Sequence, residues 1–135
     1  MTLRELTEGV PGVRFLLPGG VDGPGADALA AATPIRRVAY RADAVEPGDL
    51  FSCLLGVRAD GHDFAGQAAD RGAAALLVQR PLPVDLPQAL VPDGRLGMAL
   101  AAGVAAGRPS ERMLVAGVTG TNGKPTTAFL LHAVL

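Results

Sequence analysis

The chain has 135 residues, 49% of them hydrophobic, enough for one self-sufficient core and at most a piece of a second unit. A net charge of -1 with 19% charged residues excludes a basic nucleic-acid-binding surface and an acidic disordered block. The single cysteine, Cys53, excludes an internal disulfide framework and a multi-cysteine metal site, and no run is apolar enough for a leader or a membrane span, so a soluble, cytoplasmic chain is expected.

Thr2 to Glu8 reads as a short helix ended by Gly9 and Pro11, and Pro18 to Gly25 as an exposed Gly/Pro-rich loop. Ile35 to Tyr40 reads as a strand and Ala44 to Gly48 as a turn. Asp49 to Leu55 is an apolar run between turn signals, the pattern of a buried strand. A loop over Gly56 to Gly61 leads into a helix from His62 to Arg71, stopped by Gly72. Ala73 to Gln79 and Gln88 to Val91 are further strands, and Arg95 to Ala106 is a helix of small residues. Last come an apolar strand (Arg112 to Val118), a glycine turn (Thr119 to Gly123) and a helix (Pro125 to Leu135). Strands alternating with helices predict an α/β domain with a small, mostly parallel sheet flanked by helices. The closing strand, loop and helix have no later element to cover their apolar residues. They pack back on the first domain as a closing edge or stand as an orphan unit.

The stretch most informative about chemistry is Gly117-Val118-Thr119-Gly120-Thr121-Asn122-Gly123-Lys124-Pro125-Thr126-Thr127, which holds the chain's only lysine. A strand, a glycine loop, a lysine and a helix form the layout of a P-loop. Its backbone N–H groups and helix N-terminus cradle phosphates, and the lysine reaches toward them. The generic P-loop pattern is met only in part, since Val118 stands at the first glycine position and Pro125 follows the lysine.

Thr119-Gly120-Thr121-Asn122-Gly123-Lys124 followed by threonines resembles the ATP-binding loop of the Mur ligases, which build the peptide of peptidoglycan. Upstream, Ala44-Val45-Glu46-Pro47-Gly48-Asp49-Leu50-Phe51, then Gly56, Asp60-Gly61-His62-Asp63-Phe64 and Gly72-Ala73, resembles the N-terminal domain of the family's MurE branch. That branch adds the third residue to UDP-N-acetylmuramoyl-dipeptide through an acyl phosphate formed with ATP. The resemblance implies a UDP-substrate-binding domain over residues 1–110 and the start of the central ATP-binding domain over residues 111–135. It places Tyr40, Ala42 and the loop Val57-Arg58-Ala59 against the UDP-sugar. Gly120, Thr121, Asn122, Gly123, Lys124, Pro125 and Thr126 fall in the ATP loop, with ATP and magnesium as the family's cofactors. The resemblance covers the first domain and only the opening strand, loop and helix of the second, so no complete ligase site is expected and the chain alone is expected to be inactive.

Two departures from the family pattern bear on function. Pro125 stands where the family has a threonine whose hydroxyl binds magnesium, and it lacks a backbone N–H as well. It also biases Lys124 away from helical geometry, and Thr126 lies roughly 100° further round a helix. No useful ATP binding is therefore expected. At the uridine end the family's Asp-Ser-Arg triplet is replaced by Arg41-Ala42-Asp43, which removes the serine hydroxyl and leaves an arginine and an aspartate that also suit an exposed ion pair. Arg58 suits a diphosphate or simple solvation equally. His62 reads as a polar helix-start residue, His132 as a cation near a helix C-terminus, and Cys53 as inert core. Beside the reading as a truncated or degenerate MurE-like ligase, two others stay open. One is a stand-alone module for a UDP-linked or nucleoside ligand; the other is an interaction protein that dimerises through its terminal strand and helix.

Overall fold

The computed structural model describes residues 1–57 and 59–134. The chain opens with α1 (Leu3–Thr7), started by a reciprocal cap: the Thr2 hydroxyl accepts from the Glu5 N–H while the Glu5 carboxylate accepts from the Thr2 N–H. Four parallel strands and one antiparallel strand make the sheet. They are β1 (Arg14–Leu16), β2 (Val38–Ala39), β3 (Leu50–Ser52), β4 (Ala75–Val78) and β5 (Gln88–Leu90), in the order β1-β5-β4-β3-β2. Leu50 lies opposite Ala75 and Leu76 opposite Gln88, while β1 runs antiparallel to β5 with Phe15 opposite Ala89.

The period of two along the strands sorts side chains to two faces. From β4, Ala75 and Leu77 enter one cluster with Leu3, Leu6, Ala30, Leu50 and Ala101. This is the face covered by α1, α2 (Ala26–Ala32) and α4 (Gly94–Ala105). Leu76 and Val78 enter the other, with Phe51, Cys53, Ala65 and Ala68, beneath α3 (Ala65–Asp70). Small residues let α4 approach closely: a Cβ on Gly97 would meet Val91 and Leu77 at 3.3 and 3.4 Å. The expected mixed sheet with flanking helices is thus present.

Its details differ from the sequence reading in several places, the strands expected over Ile35 to Tyr40 and Asp49 to Leu55 being only Val38–Ala39 and Leu50–Ser52. β1 and α2 were not foreseen. β1 is a triplet with one exposed arginine, and α2 buries only Ala26 and Ala30, so neither carries a strong periodic signal. The helix expected from His62 begins instead as a 3-10 turn, Gly61–Phe64, because the Asp60 side chain caps it two residues along at His62 N–H. The strand expected over residues 112–118 does not form. A strand needs a ladder partner, and these residues pair with neither edge of the sheet; all but the half-buried Val118 are exposed. The closing-edge arrangement is therefore not adopted. Finally, α5 (Lys124–Val134) begins at Lys124, one residue earlier than expected. Pro125 sits in its first turn, where its missing N–H is one of four without an intrahelical partner, so the bias on the preceding lysine is overridden.

Candidate functional site

In open parallel sheets, ligands lie beyond the carboxyl ends of the strands. Here β2 and β3 end beside a cleft of about 310 Å³ lined by Tyr40, Arg41, Ala42, Asp43, Phe51, Leu54, Ala59, Gly61, Phe64 and Gln67. The residues after β2 form its first wall. A 3-10 turn over Ala42–Ala44 tucks Ala42 inward and leaves Arg41 and Asp43 outward. Arg41 grips Asp43 in a two-pronged pair, Nε to Oδ1 at 3.1 Å and Nη2 to Oδ2 at 2.6 Å. Each partner steadies the other's charge: the hydrogen bond raises the guanidinium's pKa and lowers the carboxyl's. Both side chains are well exposed, as the sequence reading of an ion pair anticipated, yet both also line the cleft.

A buried clamp holds this wall from behind. Asp49, fully enclosed, accepts Arg37 Nε on both oxygens at 3.0 and 2.9 Å and the Glu46 N–H at 2.9 Å, tying the Glu46 to Asp49 turn to the start of β2.

The opposite wall comes from the segment after β3. Gly61 N–H donates to the Leu54 carbonyl at 2.8 Å and Gly56 N–H to the Ala59 carbonyl at 3.0 Å, so the segment folds back on itself. Both closures demand glycine. A Cβ on Gly61 would sit 2.6 Å from Leu54 N, and one on Gly56 2.7 Å from the Ala59 carbonyl oxygen. The base of this wall carries an unforeseen cluster. His62 is buried, its side chain 1% exposed, with Nδ1 2.6 Å from Asp60 Oδ1 and Nε2 accepting from the Gln79 N–H at 3.0 Å. Asp60 Oδ2 accepts from Arg80 Nη1 at 2.7 Å. The His62 backbone N–H first, and then the imidazole and Arg80, hold the Asp60 carboxyl far below the usual range against the opposing effect of desolvation. Behind the cleft, burial pushes the free Cys53 thiol up to about 12, in keeping with inert core.

Of the residues expected at the uridine end, Tyr40, Ala42 and Ala59 line the cleft together. Val57 is fully exposed and outside its lining, and Arg58 lies outside the described residues. Leu54, Phe64 and Gln67 were missed. The last two share one face of a helical turn whose neighbours Ala65 and Ala68 are buried, a spacing that marks them as the outward side. The phosphate-loop residues fall in a separate exposed stretch. Gly120 and Gly123 have φ of +148° and +77°, and the Lys124 ammonium bonds the Gly120 carbonyl at 2.5 Å. Thr121, Asn122, Pro125 and Thr126 are exposed.

Sheet and cleft together define an open-sheet α/β domain with a cleft at the carboxyl ends of its parallel strands. Residues 34–117 match the model described as "Mur ligase family, catalytic domain", and the chain belongs to the Mur ligase family. It is 50% identical over 90 residues to the UDP-N-acetylmuramoyl-L-alanyl-D-glutamate--2,6-diaminopimelate ligase of Geobacillus thermodenitrificans, covering 67% of this chain and 18% of that protein. To the protein of the same name from Syntrophomonas wolfei it is 48% identical over 103 residues, or 75% of this chain and 21% of the relative. It therefore spans only 18% and 21% of the lengths of these two relatives. Among solved structures, the UDP-N-acetylmuramoylalanyl-D-glutamyl-2,6-diaminopimelate--D-alanyl-D-alanyl ligase from Acinetobacter baumannii superimposes with a TM-score of 0.65 at 27% identity, covering 98% of this chain and 26% of that one. The MurF ligase from Thermotoga maritima in complex with ADP gives 0.55 at 32% identity, over 68% and 21%. The family match ends at Gly117, before the glycine loop.

Proposed function

We propose that residues 1–110 form the substrate-binding domain of a MurE-type ligase of cytoplasmic peptidoglycan-precursor synthesis, and that its cleft takes the UDP end of UDP-N-acetylmuramoyl-dipeptide. Residues 111–135 belong in this reading to the opening of the ATP-binding domain. The observation that carries it is the convergence of Tyr40, Arg41, Ala42, Asp43 and Ala59 on one cleft at the carboxyl ends of β2 and β3. Tyr40 offers an exposed ring face for a uracil to stack on. Arg41 spends two of its five N–H donors on Asp43 and keeps the others for diphosphate oxygens. Ala42 supplies shape but no hydroxyl, so the contact that the family makes through serine passes to neighbouring groups or is lost.

The glycine loop does not fit magnesium-ATP. Its donor set lacks a hydroxyl and an N–H at Pro125, and the ammonium of Lys124 is held by the loop's own carbonyl. Calorimetry on the chain tests both halves. UDP-N-acetylmuramoyl-dipeptide is expected to bind, and Arg41→Ala to weaken it about tenfold, the cost of losing a charge-assisted diphosphate contact. Absence of binding at saturating ligand sinks the substrate reading, and magnesium-dependent ATP binding sinks the reading of Pro125.

A second reading rests on the terminal segment, where Leu114 is 97% and Phe129 75% exposed. Such side chains suit pairing with a second copy. A concentration-independent monomer in light scattering excludes it.

A further inference from the structure

The Asp60–His62 cluster lies beneath the cleft wall, and its geometry is specific. Gln79 directly follows β4, and the last ladder bond between β3 and β4 runs from Cys53 N–H to the Leu77 carbonyl. Beyond it, the Gln79 N–H meets the Nε2 of His62 where a neighbouring strand's carbonyl would otherwise stand. Because a backbone N–H only donates, Nε2 is the acceptor and Nδ1 carries the ring hydrogen, which it donates to Asp60. Asp60 in turn receives the His62 N–H and Arg80. Arg80 also comes within 3.7 Å of Asp63, closing the cluster on the far side of the turn. The imidazole is too buried and too fully engaged to touch a ligand. What it ties down is Ala59 to Phe64, three of whose members, Ala59, Gly61 and Phe64, face the cleft.

We propose that His62 is a positioning residue: a relay of fixed tautomer that extends the sheet past β4 and sets the cleft wall at Ala59, Gly61 and Phe64 for the ligand. The proposal rests on the cleft being the UDP-substrate site. Arginine at position 80 and aspartate at 60 complete the relay from its surface end, and the wall's two glycine closures leave it no slack to compensate for a shift.

Three measurements on the full chain test it. A long-range 15N–1H spectrum of the imidazole is expected to show hydrogen on Nδ1 and a bare Nε2; hydrogen on Nε2 instead overturns the relay. His62→Gln, which reaches Gln79 without bridging to Asp60, is expected to weaken UDP-N-acetylmuramoyl-dipeptide about tenfold, and Arg80→Met, cut at the exposed end, about threefold, with the fold intact by circular dichroism. Unchanged affinity in both variants overturns the positioning role. Amide exchange at Gly56 and Gly61 separates this from failure of the site itself. If the unaltered chain binds no UDP ligand, faster exchange at those amides in both variants still supports the relay, and unaltered exchange overturns it.

Discussion

Asp60 serves two elements with one carboxylate: it caps the turn at His62 and takes the charge of Arg80. The same contacts make it a source of acid sensitivity. Its carboxyl is held below the unfolded value of about 3.9, so the charged form is favoured by folding. The resulting stability is complete at neutral pH and drains away as pH falls through about 4 and on toward the folded value. Melting temperature measured from neutral to acid pH is therefore expected to fall less steeply for Asp60→Asn than for the unaltered chain, the gap between them closing in acid. Parallel curves contradict the assignment. None of this was legible beforehand. His62 looked like a polar residue at a helix start, because a histidine's partners are set by which strand end lies across from it, here Gln79, and that is a tertiary fact. The missing N–H and hydroxyl of Pro125, by contrast, belong to the residue type itself and are read from the sequence directly.

Among the elements, β4 shows why the core strands were easy to read. Ala75 to Val78 is buried on both faces, so its apolar run is continuous and needs no periodicity to be seen. Leu77 sits against Gly97 and Val91 in the larger cluster, and Leu77→Ala is expected to cost about 2–5 kcal/mol in urea unfolding with an unchanged m-value. A loss under about 1 kcal/mol means that the site collapses around the change. The Arg112 to Val118 segment has similar composition and no strand. An apolar run signals a readiness to pair, whereas the ladder is supplied by another element. β1 failed in the opposite sense: a short, half-polar triplet becomes a strand because β5 offers it an antiparallel edge. In the cleft, the residues following β2 were found through family likeness, while Leu54, Phe64 and Gln67 required knowing how α3 lies over the sheet.

For the molecule as a whole, the buried residues of both clusters fall between Leu3 and Ala101. Residues 105–134 are exposed apart from Val118. Removing residues 111–135 is thus expected to leave the melting temperature within about 2 °C of the full chain's, since no core packing is lost. A large drop contradicts the division at residue 110. Cys53 has a consequence at this same scale. It is the only thiol, fully buried in the cluster that holds the cleft-lining Phe51, and held protonated by its surroundings. An alkylating dye reaches it only when this corner of the sheet breathes open. The rate of labelling is then a built-in clock for that opening, and a molecule seated in the cleft slows the clock without any engineered reporter.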